Sequence, residues 1–234
     1  MTNSVKKPVI AIDGPAASGK GTIAKALAEK MGFAFLDTGM LYRAVGWAAL
    51  REGVEATNEA AVVEIAYKMG ENFDLMRFDE ESLRSPNIAQ MASMVAVIPD
   101  VRVALFNLQR QFALSPPAKM RGAVLDGRDI GSHICPDAEV KIFVTAAVEI
   151  RAQRRMLELQ KRGMQATYEA VLCDLQERDA RDSQRGVAPL QRGSDAFLLD
   201  TTDMDARTAL ALAETFVNNR LDIATQNHAA LAAG

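Results

Sequence analysis

Two kinds of apolar run alternate along the chain. Residues 8–13 (PVIAID) form a short β-branched stretch that stops at a glycine-rich turn. Residues 22–31 follow with apolar positions at Ile23, Leu27 and Met31 and a glycine stop at Gly32. The spacing predicts a strand, a loop and a helix. A second strand over residues 33–36 ends at Asp37-Thr38-Gly39, and helical spacing returns over residues 40–51 before Gly53. Further apolar runs at 123–125, 140–144 and 197–199 are bounded by Gly, Pro or Asp, and helical periodicity follows each. Strands that read as continuous apolar runs and alternate with helices indicate a parallel sheet covered on both faces.

Two stretches break the alternation. Residues 55–115 read as mostly helical with one extended piece at 73–78. Residues 149–192 read as two polar, Arg-rich helical segments joined near Gly163, the second ended by Val187-Ala188-Pro189. Such insertions at the loops of a core tolerate variation and carry function. A closing amphipathic helix is expected over residues 204–221, with a frayed Ala-rich end beyond it. The organisation predicted is one α/β domain over residues 1–234 with two inserted segments, 55–115 and an Arg-rich 151–192.

Composition narrows the class. With 49% apolar and 24% charged residues the chain is neither disordered, collagen-like nor a disulfide scaffold. A formal net charge of −3 supplies no global attraction to nucleic acid or anionic lipid. The charge is uneven, however: residues 151–192 hold nine Arg or Lys against six Asp or Glu. Cys135, Cys173, His133 and His228 lack the spacing of a zinc site or disulfide framework, so the cysteines read as reduced, buried thiols. No run approaches the roughly 18 apolar residues of a membrane span, and the polar N-terminal lead is too short for a signal peptide. A cytoplasmic protein, monomeric by default, is the expectation.

The chemistry concentrates in four places. Gly14, Pro15, Ala16, Ala17, Ser18, Gly19, Lys20, Gly21 and Thr22 stand between the first strand and first helix, the context of a phosphate-binding P-loop. Loop amides and the helix N-terminus present donors to phosphates, and Lys20 reaches the β and γ phosphates. Gly21 occupies the place where the general pattern has Ser or Thr, which leaves Thr22 as the Mg²⁺-binding hydroxyl. Asp126 ends a buried strand in LDGRD, where a carboxylate either orients magnesium water or caps the next turn. Arg128 and Asp129 stand close enough to it to face an acceptor. Arg178, Arg181, Asp182 and Arg185 are spaced to share one helix face, and Arg151, Arg154 and Arg155 repeat the spacing upstream. These arginines are either a solvated face laced with Glu158, Glu177 and Asp179 or a set that stabilises a moving phosphoryl group. Thr38, Tyr42 and Arg43 follow the second strand, where Arg43 either holds an acceptor phosphate or pairs with a carboxylate.

IDGPAASGKGT at residues 12–22, LDTGMLYRA at 36–44, LDGRDIG at 125–131, RRMLELQKRG at 154–163 and ERDARDSQRGVAPL at 177–190 resemble the bacterial cytidylate kinases of the nucleoside monophosphate kinase family. The resemblance runs over residues 9–221. It implies a P-loop kinase fold with a five-stranded parallel sheet, helices on both faces, a monophosphate-binding insertion and a mobile lid. The implied reaction passes the γ-phosphoryl group of ATP to CMP or dCMP with Mg²⁺, the metal held by Thr22 and Asp126. Thr38, Arg43, Arg128 and Arg185 are implied to contact the acceptor phosphate, with Tyr42 beside them. Ser93, Arg102 and Asp129 are implied to read cytosine, Arg178 and Asp182 to hold the ribose, and Arg154 and Arg155 to cover ATP. Lys20, Arg128, Arg181, Arg185 and Asp126 form the implied catalytic set. One departure stands out: only NFDLMRFDEESLRSPN occupies the place of a longer, hairpin-rich insertion in the family.

Other readings weighed on the residues are a kinase for UMP or shikimate, a GTP-dependent switch, and RNA binding. The chain lacks the guanine-reading Asn/Thr-Lys-x-Asp pattern, and the arginine segment lacks interleaved aromatics for base stacking.

Overall fold

A computed structural model describes residues 7–71 and 79–232. The extended piece expected over 73–78 lies outside the described residues. Five parallel strands stand in the order β2-β3-β1-β4-β5. They are β1 (Val9–Asp13), β2 (Ala34–Asp37), β3 (Ala123–Gly127), β4 (Val140–Thr145) and β5 (Phe197–Asp200). Each expected strand is present; β1 ends at Asp13 as expected, and the other four run one or two residues further toward the site, in β2, β3 and β5 because the acids that seemed to terminate the runs are themselves paired in the ladder. Asp13 stands opposite Gly127, Asp37 opposite Asp126 and Thr145 opposite Asp200. The carboxyl edge of the sheet is therefore acidic before any loop is added.

Alternation along β1 divides the core. Ile10 and Ile12 face a cluster with α1 (Lys20–Met31) and α9 (Ala206–Ala232), through Leu27, Ala213 and Val217. Val9 and Ala11 face the opposite layer with Ala113, Ile130 and Ile134. Both faces of the sheet are thus covered, as continuous apolar strands require. Helix α9 continues to Ala232 rather than ending at Leu221. No single helix among the described residues is long and apolar enough to cross a membrane.

The stretch after β2 builds a second, all-helical core. Helices α2 (Gly39–Arg51), α3 (Glu59–Glu71), α5 (Pro86–Val95) and α6 (Pro99–Leu114) bury Leu41, Val62, Val95 and Leu105 among themselves, with the short α4 (Glu80–Leu83) at their edge. Their approach is close: a β-carbon on Gly46 of α2 would lie 3.0 Å from the Ala92 nitrogen of α5, and one on Gly70 of α3 would lie 2.3 Å from the Ala104 oxygen of α6. The Arg-rich stretch forms α7 (Val148–Lys161) and α8 (Tyr168–Gln184), joined through Gly163, whose φ of 74° reverses the chain. Leu159, Val171 and Leu175 of this pair pack on Ala16 of the loop after β1. Cys135 is buried, whereas Cys173 on α8 is exposed and corrects the expectation that both thiols are enclosed. An unforeseen π-helical turn, Ile130–Ile134, follows β3.

Candidate active site

The loop from Gly14 to Gly19 leaves the central strand at the point where the strand order reverses, so it opens onto the crevice at the carboxyl edge of the sheet. Gly14 cannot carry a side chain there, since a β-carbon would fall 2.0 Å from the Val144 oxygen. Helix α1 starts at Lys20, two residues earlier than its apolar periodicity suggests, with left-handed Gly19 as its cap. No side chain caps it and its first turn holds no acid, so its N–H groups and dipole face the crevice unmet. The Ser18 hydroxyl, fully buried in the loop, also lacks a partner among the described residues. These are the donors an anion would engage.

Lys20 and Asp126 confront each other at the loop, with Nζ 3.8 Å from Oδ1. Burial pushes the Lys20 ammonium down to about 8, helped by Arg128 and opposed by Asp126. Burial raises the Asp126 carboxyl to about 6, with Lys20 pulling it down and Asp37 pushing it up. The pair does not satisfy itself: Asp126 Oδ1 has no hydrogen-bond partner. A β-carbon on Gly21 would stand 3.0 Å from Asp126 Oδ2, so glycine at this position leaves clear the side of the carboxylate that faces the loop. An orphaned, buried carboxylate oxygen beside an uncrowded phosphate loop fits a hard divalent cation with oxygen ligands. Thr22 lines the same crevice.

The crevice encloses about 1450 Å³, above the usual range of roughly 300–1,000 Å³ for a single small-molecule site. Besides the loop, its walls include Arg43, Arg84, Asp126, Arg128, Arg155 and Arg178. Arg43 donates from Nη1 to the Leu83 carbonyl at 3.0 Å, and no carboxylate among the described residues lies within ion-pair distance of it. Burial, then Arg178, lowers Arg43 to about 9. Burial and Arg128 lower Arg178 to about 10, and its buried Nε is unpartnered. Three cations are thus held together with less negative charge than they need.

Other expected residues gather in paired groups at and behind this wall. Arg102 pairs with Asp129 through Nη2, and Arg185 Nη2 stands 3.4 Å from the other Asp129 oxygen. Arg128 Nε donates to Asp182 Oδ2 at 2.7 Å, and Arg181 Nε to Ser93 Oγ at 3.1 Å. The Arg102 guanidinium lies 5.6 Å from the centre of the Tyr42 ring. Burial opposes the Asp182 carboxylate, but Arg128 and Arg178 outweigh it and hold its pKa below the ordinary value. Ser93, Arg102, Asp129, Asp182 and Arg185 are each less than 9% exposed.

Several placements differ from the expectation. Arg185 is not on the arginine face of α8; the helix ends at Gln184 and Arg185 turns into extended backbone, which lets its side chain reach Asp129 and the Ala188 carbonyl. The Thr38 hydroxyl donates to the Asp126 carbonyl at 2.8 Å, tying β2 to β3 rather than pointing at an acceptor. Arg154 is anchored on Thr201 through Oγ1 at 2.9 Å and the carbonyl at 2.6 Å, and Arg155 pairs with Glu158 at 2.8 Å. Both arginines line the crevice. Sequence reasoning missed Asp13 and Arg84. Asp13 accepts the Ile130 and Gly131 amides, both at 2.8 Å, and Arg84 lies 3.5 Å from Asp37 at the crevice mouth. The acid ending the strand before the P-loop was a visible signal for the first.

A phosphate loop at the switch point of a five-stranded parallel sheet, with buried cations around its mouth, defines a P-loop kinase. A solved structure of an uncharacterised protein from Eubacterium ventriosum shares the fold, with a TM-score of 0.54 at 16% identity over 92% of this chain and 99% of that one. The chain belongs to the cytidylate kinase family, whose description matches residues 10–218. It is 51% identical over 212 residues to a cytidylate kinase of Paramagnetospirillum magneticum, covering 91% of this chain and 98% of that protein. Over 209 residues it is 54% identical to the cytidylate kinase of Azorhizobium caulinodans, covering 89% and 97%. The protein is accordingly a nucleotide-binding transferase of the nucleoside monophosphate kinase type.

Proposed function

We propose that the protein transfers the γ-phosphoryl group of ATP to CMP and dCMP by direct in-line displacement in the cytoplasm. The observation that carries this reading is the cation set Lys20, Arg43 and Arg178, held together by burial and short of negative charge in one crevice. Family membership supplies the nucleotide pair.

The P-loop amides and Ser18 hold the ATP phosphates, and Lys20 neutralises charge on the β and γ groups. The acceptor phosphate is already an anion, so the transfer requires alignment and charge stabilisation rather than a general base. Arg43 and Arg178 engage the moving group and the acceptor phosphate from the opposite wall. Asp126 and Thr22 would hold Mg²⁺, which when bound would neutralise negative charge on the phosphates. Arg128 and Arg185 orient the acceptor from the network beneath, in which Asp129 and Arg102 set the cytosine contacts with Ser93. In this reading residues 55–115 are the monophosphate-binding insertion and residues 151–192 the lid.

A coupled ADP-release assay over CMP, dCMP, UMP and shikimate tests the assignment. Turnover is expected with the two cytosine nucleotides, and preference for any other acceptor removes the cytosine claim.

A further inference from the structure

Arg151 carries one of the longest-reaching side-chain networks in the molecule, and the mechanism above gives it no task. It lies in the first turn of α7 with 5% of its surface exposed. Its guanidinium donates in three directions: Nε to the Ala146 carbonyl after β4 at 2.8 Å, Nη1 to the Ala16 carbonyl of the phosphate loop at 3.3 Å, and Nη2 to Asp179 Oδ2 on α8 at 2.7 Å. The fork is planar and its donor directions are fixed, so the three acceptors are held in one mutual geometry.

Each partner points at a different part of the site. Ala16 lies within the loop that takes the donor phosphates, and the next residue, Ala17, holds a left-handed φ of 60° that is unfavourable for a residue with a β-carbon. Asp179 follows Arg178 directly and precedes Asp182 by three residues on the same helix. Its second oxygen, Oδ1, is buried without a partner, so Arg151 is the charge that fixes this carboxylate. The apolar packing of Ala152, Leu159, Val171 and Leu175 on Ala16 already supplies adhesion between the lid helices and the loop. What the fork adds is direction.

We propose that Arg151 is a positioning residue that couples the two nucleotides. A donor phosphate seated in the loop fixes the Ala16 carbonyl. Through the fork this fixes Asp179, and with it the aim of Arg178 and Asp182 toward the acceptor. The inference rests on the reading that the loop takes ATP and α8 faces the nucleoside monophosphate.

Calorimetric titration of CMP, with and without saturating Mg²⁺ and a β,γ-imido ATP analogue, measures the coupling directly. The wild-type protein is expected to bind CMP roughly 5-fold or more tightly when the analogue is present, within the usual range of coupling between sites. In Arg151→Met, Arg151→Lys and Asp179→Asn the ratio should fall to about 2 or below, while CMP affinity without the analogue changes less. Because both substitutions remove the contact between Arg151 and Asp179, Arg151→Met with Asp179→Asn should lose no more coupling than Arg151→Met alone. Folded variants that keep the wild-type ratio overturn the proposal, as do losses that add in the double variant. Should Arg151→Met fail to fold, Asp179→Asn decides, since that side chain is 27% exposed. A wild-type protein that binds both nucleotides without coupling overturns this inference alone, whereas one that binds neither overturns the nucleotide reading beneath it.

Discussion

In the proposed acceptor wall Arg102, Arg185 and Asp129 form one buried cluster, and Arg128 with Asp182 forms another, so each of these three guanidiniums, unlike Arg43 and Arg178, has a carboxylate of its own or a shared one. On the donor side Lys20 stands 3.8 Å from Asp126, whose Oδ1 is orphaned, beside a helix N-terminus without a cap and the unpartnered Ser18 hydroxyl. The first arrangement is matched in charge by its own carboxylates, so its arginines contribute to the fold. The second lacks partners among the described residues, and the proposed phosphate would supply them. The same residue types thus serve stability in one wall and ligand demand in the other, and the difference lies in whether buried charge is matched locally.

Single substitutions should separate the two walls. Lys20→Ala is expected to lower kcat by about 10²–10³-fold, the usual scale for removing one preorganised electrostatic contact. Its urea midpoint should stay at or above that of the wild type, because burial disfavours the Lys20 charge. Asp129→Asn should do the reverse. It strips the carboxylate from Arg102 and Arg185 and should destabilise the fold by about 3–5 kcal/mol in urea unfolding, the usual cost of breaking a buried pair. If both variants unfold at similar urea concentrations, the distinction between the walls collapses.

The smallest effect concerns the residue that joins the walls. Asp13 ends β1, directly before the P-loop, and holds the turn after Arg128 and Asp129 by two amide hydrogen bonds. Burial raises its carboxyl from 3.8 to about 7 against those bonds, with Asp129 and Asp126 adding to the rise. The folded state therefore binds a proton that the unfolded state has released across this interval. The contribution of Asp13 is present in full below pH 3.8 and is lost as pH rises through about 7. Asp13→Asn should flatten the fall in stability over that window, measured as calorimetric Tm at a series of pH values. An unchanged slope would show that Asp13 does not titrate there.

Much of this was legible before any coordinates. The β-branched runs, each bounded by Gly, Pro or Asp, located all five strands, and strand-loop-helix context around Lys20 located the loop that opens onto the crevice. The parts that escaped were those decided by packing at a distance. The spacing of Arg178, Arg181, Asp182 and Arg185 placed Arg185 on the face of α8, but the helix stops one residue short of it, and a pattern of types cannot register where a backbone leaves the helical region. Arg154 and Arg155 shared a spacing with Arg151, yet the three ended on different partners: the loop after β5, a neighbouring glutamate, and the P-loop with α8. Spacing reports which residues share a side of a helix; it carries no information on what lies opposite. The π-helical turn after β3 left no periodic trace because it is five residues long.

The glycine contacts in the helical core have a mechanical consequence. At Gly46 and Gly70 two pairs of helices approach almost backbone to backbone, with the Met91 side chain beside the first contact. A block joined in this way moves as one lever. Arg43 belongs to α2, which is welded to α5 at Gly46, while Ser93 belongs to α5 itself. One displacement of that lever would therefore carry together the arginine proposed to face phosphate and the hydroxyl proposed to face the base.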